Sequence, residues 1–454
     1  MSSRSVGVAS HWYTSKSLRK LETKKLFHDG WVALCFGQDL PNDGDIHPSR
    51  ALGLPLLATR DRKTSQINVF HNVCSHRGVE LVQTSKSQQT SIRCPYHSWT
   101  YKLSGELIAT PLVGGQDENG KSINTCPLVN KDELGLKPVR TKLWNDIVFV
   151  NVNNKAIDFE EWIKPLEERW APFMNHQLYY SNHEDSRSVL QPKCNYKLAI
   201  ENYCEAYHLP WVHPGLNEIS NLSDHYDVII KDLCSGQGSK LYDPAVKLPG
   251  IDDSLIPKEW KKKSEYVSLY PNILLGCHDD HWIAMLLTNE EVNLTTEDMR
   301  IYYFNEKAIS PEYEKERIIN KEQWTEIFKE DIESVEAMQR GRDAGDNFNG
   351  GVFSHAMDQS NLAFHNWVHA RLPKITSEDE ERVAVGEEYH DLDQKVATTV
   401  MTVEKEPEKD KDTEKMRSGF MGAPVKLDPK GDYSLEVKIM LGTIIAVIVS
   451  PFLS

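Results

Sequence analysis

Two short loops, each offering one cysteine and one histidine, constrain this chain more than anything else in it. Cys74 and His76 follow the apolar run Ile67–Val73, and Cys94 and His97 flank Pro95 and Tyr96 further on. Each pair falls where a strand gives way to a loop. Thiolates and imidazoles are borderline-to-soft ligands, so iron–sulfur and zinc are the candidates. Zinc fingers usually pair Cys with Cys and His with His. Here each loop supplies one of each. A [2Fe–2S] centre with two Cys on one iron and two His on the other needs that division.

The surroundings are β-rich. From Trp31 to Val152, short apolar or alternating runs (GWVALCFG, LPLLATRD, INVFHNV, DIVFVNVN) are separated by Gly, Pro, Asn and Asp. From Phe159 to Leu372 the pattern is mixed. EEWIKPLEERW and NYKLAIENYCEAYH read as helices, YVSLYPNILLGCH and RIYYFNEK as strands. The stretch from Pro311 reads as one or two amphipathic helices ended by Gly341. Ahead of all this, a short helix is expected through Leu18, Leu21 and Phe27, and the Ser-rich first ten residues read as a frayed terminus.

A second constellation lies at residues 201–215, ENYCEAYHLPWVHPG. Glu201, Glu205 and His208 are spaced i, i+4, i+7, which puts them on one helical face. Pro210 disfavours continuation of that helix, so the chain can swing back and bring His213 beside His208. Two His and one carboxylate with open positions form the facial triad of non-haem Fe(II) sites. The third ligand is nominated by periodicity. Trp324, Phe328, Val335 and Met338 form an apolar stripe with Asp331 inside it. A carboxylate on a buried face is costly unless paired or metal-bound; an Arg partner or a helix cap are the plain alternatives. Glu330, Glu333 and Glu336 read as rim residues.

The first stretch resembles the Rieske iron–sulfur domain, through Cys74, His76-Arg77-Gly78, and Cys94-Pro95-Tyr96-His97 followed by Trp99. The second resembles the catalytic domain of Rieske-type oxygenase α subunits, through Glu201-Asn202, Glu205, His208, His213 and the distant Asp331. Together the resemblance covers roughly residues 11–372. It implies an α+β protein: an N-terminal all-β Rieske domain, then an α+β catalytic domain whose antiparallel sheet is flanked by helices, helix-grip-like. The expected divisions are 1–26, 27–153, 154–372, a charged linker 373–436 and an apolar tail 437–454. Cys74, His76, Cys94 and His97 would hold a Rieske [2Fe–2S] cluster; His208, His213 and Asp331 would hold a mononuclear Fe(II). The resemblance further implies O2 as co-substrate and a homotrimer in which electrons cross between subunits. Glu205 would bridge His208 to a Rieske His of the neighbour. Ring-hydroxylating dioxygenases typically show Asp there, whereas the quaternary-ammonium branch (carnitine, choline and betaine oxygenases) can show Glu. That tilts expectation toward monooxygenation of a small quaternary ammonium compound, by hydroxylation or N-demethylation. An aromatic-ring-hydroxylating dioxygenase is the runner-up, and an electron-transfer iron–sulfur protein or a zinc scaffold are readings of another class. Tyr203, Tyr207, Trp211, Tyr270 and Trp282 are the aromatic candidates for a cation pocket.

Composition closes off the rest. With 52 Lys+Arg against 67 Asp+Glu, the net charge of -15 lacks a nucleic-acid-binding footprint. Eight Cys in 454 residues are too few for a disulfide scaffold, which favours a cytoplasmic protein. No G-x-G-x-x-G follows a strand, so NAD(P)H electrons must arrive through a separate flavin or iron–sulfur reductase. The apolar run 439–453 would be about 22 Å long as a helix, short against a hydrocarbon core of about 30 Å. A tail anchor and a segment docked back on the domain are both open.

Overall fold

The structure, a computed structural model, describes residues 7–374 apart from 253 and 349. The charged linker beyond 374 and the apolar tail lie outside the described residues. Among the described residues, sixteen strands fall into three antiparallel sheets. The first half contributes β1 (Val32–Phe36), β2 (Ile46–Ser49), β3 (Leu56–Arg60), β4 (Ile67–His71), β5 (Ile92–Arg93), β6 (Thr100–Tyr101), β7 (Leu107–Ala109), β8 (Pro138–Trp144) and β9 (Ile147–Asn151). Six of them form a sheet in the order β1-β9-β8-β4-β3-β2, and β5-β6-β7 form a small one. The second half contributes β10 (Arg187–Leu190), β11 (His225–Ile230), β12 (Cys234–Ser239), β13 (Ser264–Leu269), β14 (Ile273–Cys277), β15 (His281–Glu291) and β16 (Leu294–Tyr303). These make a seven-stranded meander in sequence order from β11 to β16, with β10 added at the far edge beside β16.

The meander is buried on both faces, and its sequence shows why. Every residue of β13 and β14 is buried; β14 (ILLGC) reads as a continuous apolar run rather than an alternation, whereas β13 (SEYVSL) also buries Ser264, Glu265 and Ser268. Tyr266, Leu274, Ile283 and Met285 point into one core with Leu198, Ile200, Trp324 and Phe328 from the helices. Val267, Leu275, Trp282 and Ala284 point into a second core with Trp31, Phe149, Phe159 and Trp170. Strand β1 feeds both: Val32 and Leu34 join the first core, Ala33 and Phe36 the second. The change of pattern near residue 153 thus marks a change of architecture but not of core. A third, smaller core surrounds Cys74, Cys94, Trp99 and Tyr101 and draws in Ile46, Leu57 and Phe70 from β2, β3 and β4.

One long helix, Glu314–Arg342, runs through Gly341 rather than ending there. Its buried positions are 317, 320, 324, 328, 331, 335, 339 and 342, a 3–4 spacing that keeps one face inward. Met338 is not among them; it is 37% exposed, and Gln339 takes its place. The first residues are not frayed from Gly7 onward. Val8, Trp12, Tyr13, Leu18 and Leu21 are buried in the first core. The Val8 amide donates to His365 Nδ1 at 2.9 Å, and Lys197 Nζ donates to the Trp12 carbonyl at 2.9 Å. Among the described residues, no helix is long and apolar enough to cross a membrane.

Candidate metal centres

The first Cys-His loop leaves β4 and the second joins β5 to β6. Each closes as a tight turn on its cysteine: Gly78 N donates to the Cys74 carbonyl at 3.0 Å, and Ser98 N to the Cys94 carbonyl at 3.1 Å. Gly78 sits at φ +72°, left-handed backbone that favours glycine. Both thiols are buried and neither forms a disulfide. Tyr101 Oη lies 3.2 Å from Cys74 Sγ. Burial pushes the Cys94 thiol up, while backbone N–H groups of Tyr96 and His97 aimed at it pull the other way. Such donors suit a thiolate ligand. His76 and His97 stand at the rim, ring centroids 4.7 Å apart, with His76 stacked on Trp99. His97 Nδ1 is buried without a hydrogen-bond partner. Two inward thiols, two outward imidazoles and one unpaired buried nitrogen fit a Rieske cluster.

The second centre starts from a helix capped by Asn195, whose side chain accepts from Lys197 N at 3.1 Å. That helix spans Tyr196–Tyr203 and stops at Cys204, six residues before Pro210. Pro210 itself lies in the first turn of the next helix, Leu209–Val212, where proline is well tolerated. The break sends Glu201 and Glu205 to different places. Glu201 is buried among Tyr13, Arg342 and His365, with Arg342 Nη2 at 3.1 Å. The Glu205 carboxylate instead accepts from the amides of Tyr207 and His208 and sits 2.5 Å from His208 Nδ1.

The turn also brings the two imidazoles together, ring centroids 5.1 Å apart. His208 Nε2 is 3.6 Å, and His213 Nε2 2.9 Å, from Asp331 Oδ1. One donor atom from each of the three residues lies within 4.8 Å of the others. Asp331 has neither an arginine nor a helix end beside it; its other partner is Asn202, whose Nδ2 donates at 2.9 Å. Each imidazole therefore shows Nε2 to the centre and Nδ1 to an outer carboxylate: His208 to Glu205, and His213 to Glu330 at 2.6 Å. Outer carboxylates of this kind fix the ring orientation of metal-binding histidines. Glu330 was expected on the rim; it is half-exposed yet reaches His213, because it neighbours Asp331 on the turn that faces the break. Burial alone would lower the His213 pKa, but the hydrogen bonds and charges of Asp331 and Glu330 raise it. Divalent metals need the neutral ring, so metal and proton compete here. The donor set, a carboxylate and two correctly turned imidazoles, fits a mononuclear iron.

A cleft of about 460 Å³, counting the space open to solvent, leads to the three residues. Tyr203, Tyr266, Trp324 and Phe328 form its aromatic wall. Of the aromatic candidates, only Tyr203 lines it. Tyr270 packs on Phe364 and Trp367, and Trp282 on Trp144 and Trp170. Tyr207 and Trp211 point outward, 45% and 71% exposed. The wall residues Tyr266 and Trp324 are far from the His pair in sequence; the meander brings in the first and the long helix the second.

Residues 30–126 match the Rieske [2Fe-2S] domain, and residues 180–374 match the ring hydroxylating alpha subunit (catalytic domain). The chain is 25% identical over 333 residues to the carnitine monooxygenase oxygenase subunit of Acinetobacter pittii, spanning 73% of this chain and 83% of that protein. It is 24% identical over 352 residues to the chloroplastic choline monooxygenase of Arabidopsis thaliana, spanning 73% and 75%. The crystal structure of the quaternary ammonium Rieske monooxygenase CntA with L-carnitine superposes at a TM-score of 0.61 with 20% identity, covering 81% of this chain and 94% of that one. Naphthalene 1,2-dioxygenase from Rhodococcus superposes equally, at 0.61 with 16% identity, covering 84% and 95%. At these identities the superpositions show a shared fold.

Proposed function

On the premise that this chain is an α subunit of the Rieske-type oxygenases, an oxidoreductase with a [2Fe–2S] cluster and a mononuclear iron, we propose that its substrate is a small quaternary ammonium compound. The reaction is monooxygenation, by hydroxylation or oxidative N-demethylation. The observation that carries the reading is the triad itself: His208, His213 and Asp331 converge at the floor of an aromatic-walled cleft. Tyr203, Tyr266, Trp324 and Phe328 offer π-faces to a cation, and relatives that act on carnitine and choline by name support that class.

Cys74, Cys94, His76 and His97 would hold the cluster, and His208, His213 and Asp331 the iron. When bound, the cluster supplies electrons one at a time and the iron activates O2. The chain's own residues do the rest. Glu205 and Glu330 hold the two imidazoles in the tautomer that leaves Nε2 free. Asn202 fixes Asp331 by one oxygen. The apolar wall keeps water from the reacting end. Electrons come from NAD(P)H through a separate reductase. In a homotrimer, Glu205 would bridge His208 to a Rieske histidine of the neighbouring copy. Tyr207 and Trp211 close to Glu205, and Tyr96 within the second cluster loop, are exposed aromatics of the sort that interfaces cover. The protein works in the cytoplasm.

The test is O2 consumption and product formation by purified protein with a surrogate reductase, screened over choline, glycine betaine, carnitine and simple arenes. Turnover of an ammonium compound is the expected result; turnover of arenes alone would overturn the substrate class.

A further inference from the structure

Ser220, His225 and Gln237 also line the cleft, and none of them belongs to the aromatic wall or to the iron triad. Gln237 stands out by pattern. It lies on β12 directly across from Tyr266 of β13, and residues opposed in register share a face. On that face the next strands bury Leu274, Ile283 and Met285. An amide in such company is costly unless it is hydrogen-bonded.

The bonds of Gln237 fix which way its amide points. The Glu205 carbonyl, 3.3 Å from Gln237 Nε2, can only accept, so the nitrogen is the atom that faces it. The amide oxygen then faces His225 Nδ1, which must carry the proton of that ring. His225 Nε2 is left as an acceptor, and the Ser220 hydroxyl donates to it at 3.0 Å. Burial, the largest influence on His225, lowers its pKa and keeps the ring neutral, as this chain of bonds requires. Both ring nitrogens are thereby paired. Among the described residues, the second N–H of Gln237 has no partner.

Its neighbours in the lining point their donors elsewhere. Tyr203 donates its hydroxyl to the Leu275 carbonyl at 3.1 Å, and Trp324 its N–H to His281 Nε2 at 3.1 Å. Asn202 donates to the iron ligand Asp331. Opposed residues on adjacent strands hold their Cβ atoms about 5 Å apart. A cation on the Tyr266 ring therefore brings a group a few bonds from its nitrogen within reach of Gln237, and the group that satisfies an N–H is an oxygen acceptor.

We infer that Gln237 determines specificity: its second N–H, aimed by His225 and the Glu205 carbonyl, binds an oxygen of the substrate while the ammonium group lies on the aromatic wall. The substrate class narrows to ammonium compounds that carry a hydroxyl or carboxylate oxygen a few bonds from the nitrogen. The inference rests on the quaternary-ammonium reading and deepens it.

The test is calorimetric titration of the full-length holoprotein with choline, glycine betaine, carnitine and propyltrimethylammonium, in which a methyl group replaces the choline hydroxyl. At least one oxygen-bearing ligand is expected to bind about 5–10-fold more tightly than the carbon analogue, the effect of one hydrogen bond. Choline against glycine betaine tells hydroxyl from carboxylate. Gln237→Leu should erase the preference and leave propyltrimethylammonium binding unchanged. Circular dichroism and the red-brown absorption of the variant report that fold and cluster persist. No preference in the parent would overturn the inference without any variant. So would a preference that survives Gln237→Leu, or an equal loss of the carbon analogue, which would leave Gln237 only the task of holding the Glu205 turn. Failure of every ligand would overturn the ammonium reading and the inference together.

Discussion

The two metal centres are built in opposite ways. The cluster loops are local: all four residues fall between Cys74 and His97, against one small core. The iron pocket is assembled from a helix break and from a helix that enters 118 positions later. The burial is also reversed. In the loops the thiols are inside and the imidazoles reach the rim. In the pocket His213 is 2% exposed and Asp331 8%. A centre that exchanges electrons with a partner needs an accessible edge, whereas one that handles a small molecule needs walls. Chemistry that lies within one stretch of chain can be held by turn geometry. Chemistry assembled at long range must be held by packing and by outer hydrogen bonds.

The contrast can be broken by substitution. Asp331→Ala should abolish product formation by more than about 100-fold, beyond what outer partners are worth. It should remove one iron per chain and leave the cluster's absorption and reduced EPR signal intact. Cys94→Ser should do the reverse to the metals. If either lesion empties both centres, they are not independently built. Glu205→Gln should lower turnover by about 10–100-fold with both metals at full content, since it acts on the orientation and coupling of His208. Normal turnover in that variant would remove Glu205 from the pathway. Glu330→Gln should weaken iron binding by about 10-fold, read by titration of the iron-depleted protein, with the cluster untouched.

The smallest effect concerns pH. Glu297 is buried beside Asp331, and burial first, then that charge, pushes its pKa up to about 8. The unfolded value is about 4.3, so folding takes up a proton. Stability is full below about pH 4 and falls as the pH rises toward 8. In the iron-depleted protein, Glu297→Gln should flatten the decline in Tm over that window, by roughly a few degrees. An unchanged slope would show that the pocket relaxes around the ionised acid.

This difference in construction also decides what could be read from the sequence. Cys74, His76, Cys94 and His97 stand out in the sequence because spacing and geometry coincide in short loops, and the structure brings those loops together. His208, His213 and Asp331 could be named from a proline and a stripe, but for a partly wrong reason. The helix ends at Cys204 because the Glu205 side chain, not Pro210, takes over the freed amides. Met338 was misplaced by one position, which on a helix is a rotation of about 100°. Glu330 had no signal at all, since an acid on a solvated face looks the same whether or not it reaches a histidine. The same holds for the aromatic wall, whose members come from one strand and two helices that only the tertiary packing aligns.

The N-terminal segment carries a last consequence, for how the chain is made. Val8 hydrogen-bonds His365, 357 positions away, and Tyr13 is sealed beneath the long helix's end. Residues 8–21 precede their packing partners by most of the chain and are among the last to find their place. Until nearly the whole catalytic half has emerged, Trp12, Tyr13 and Leu21 have no core to enter, and non-local contacts of this kind are slow to form. A bulky group introduced at Val8 would meet that closing step.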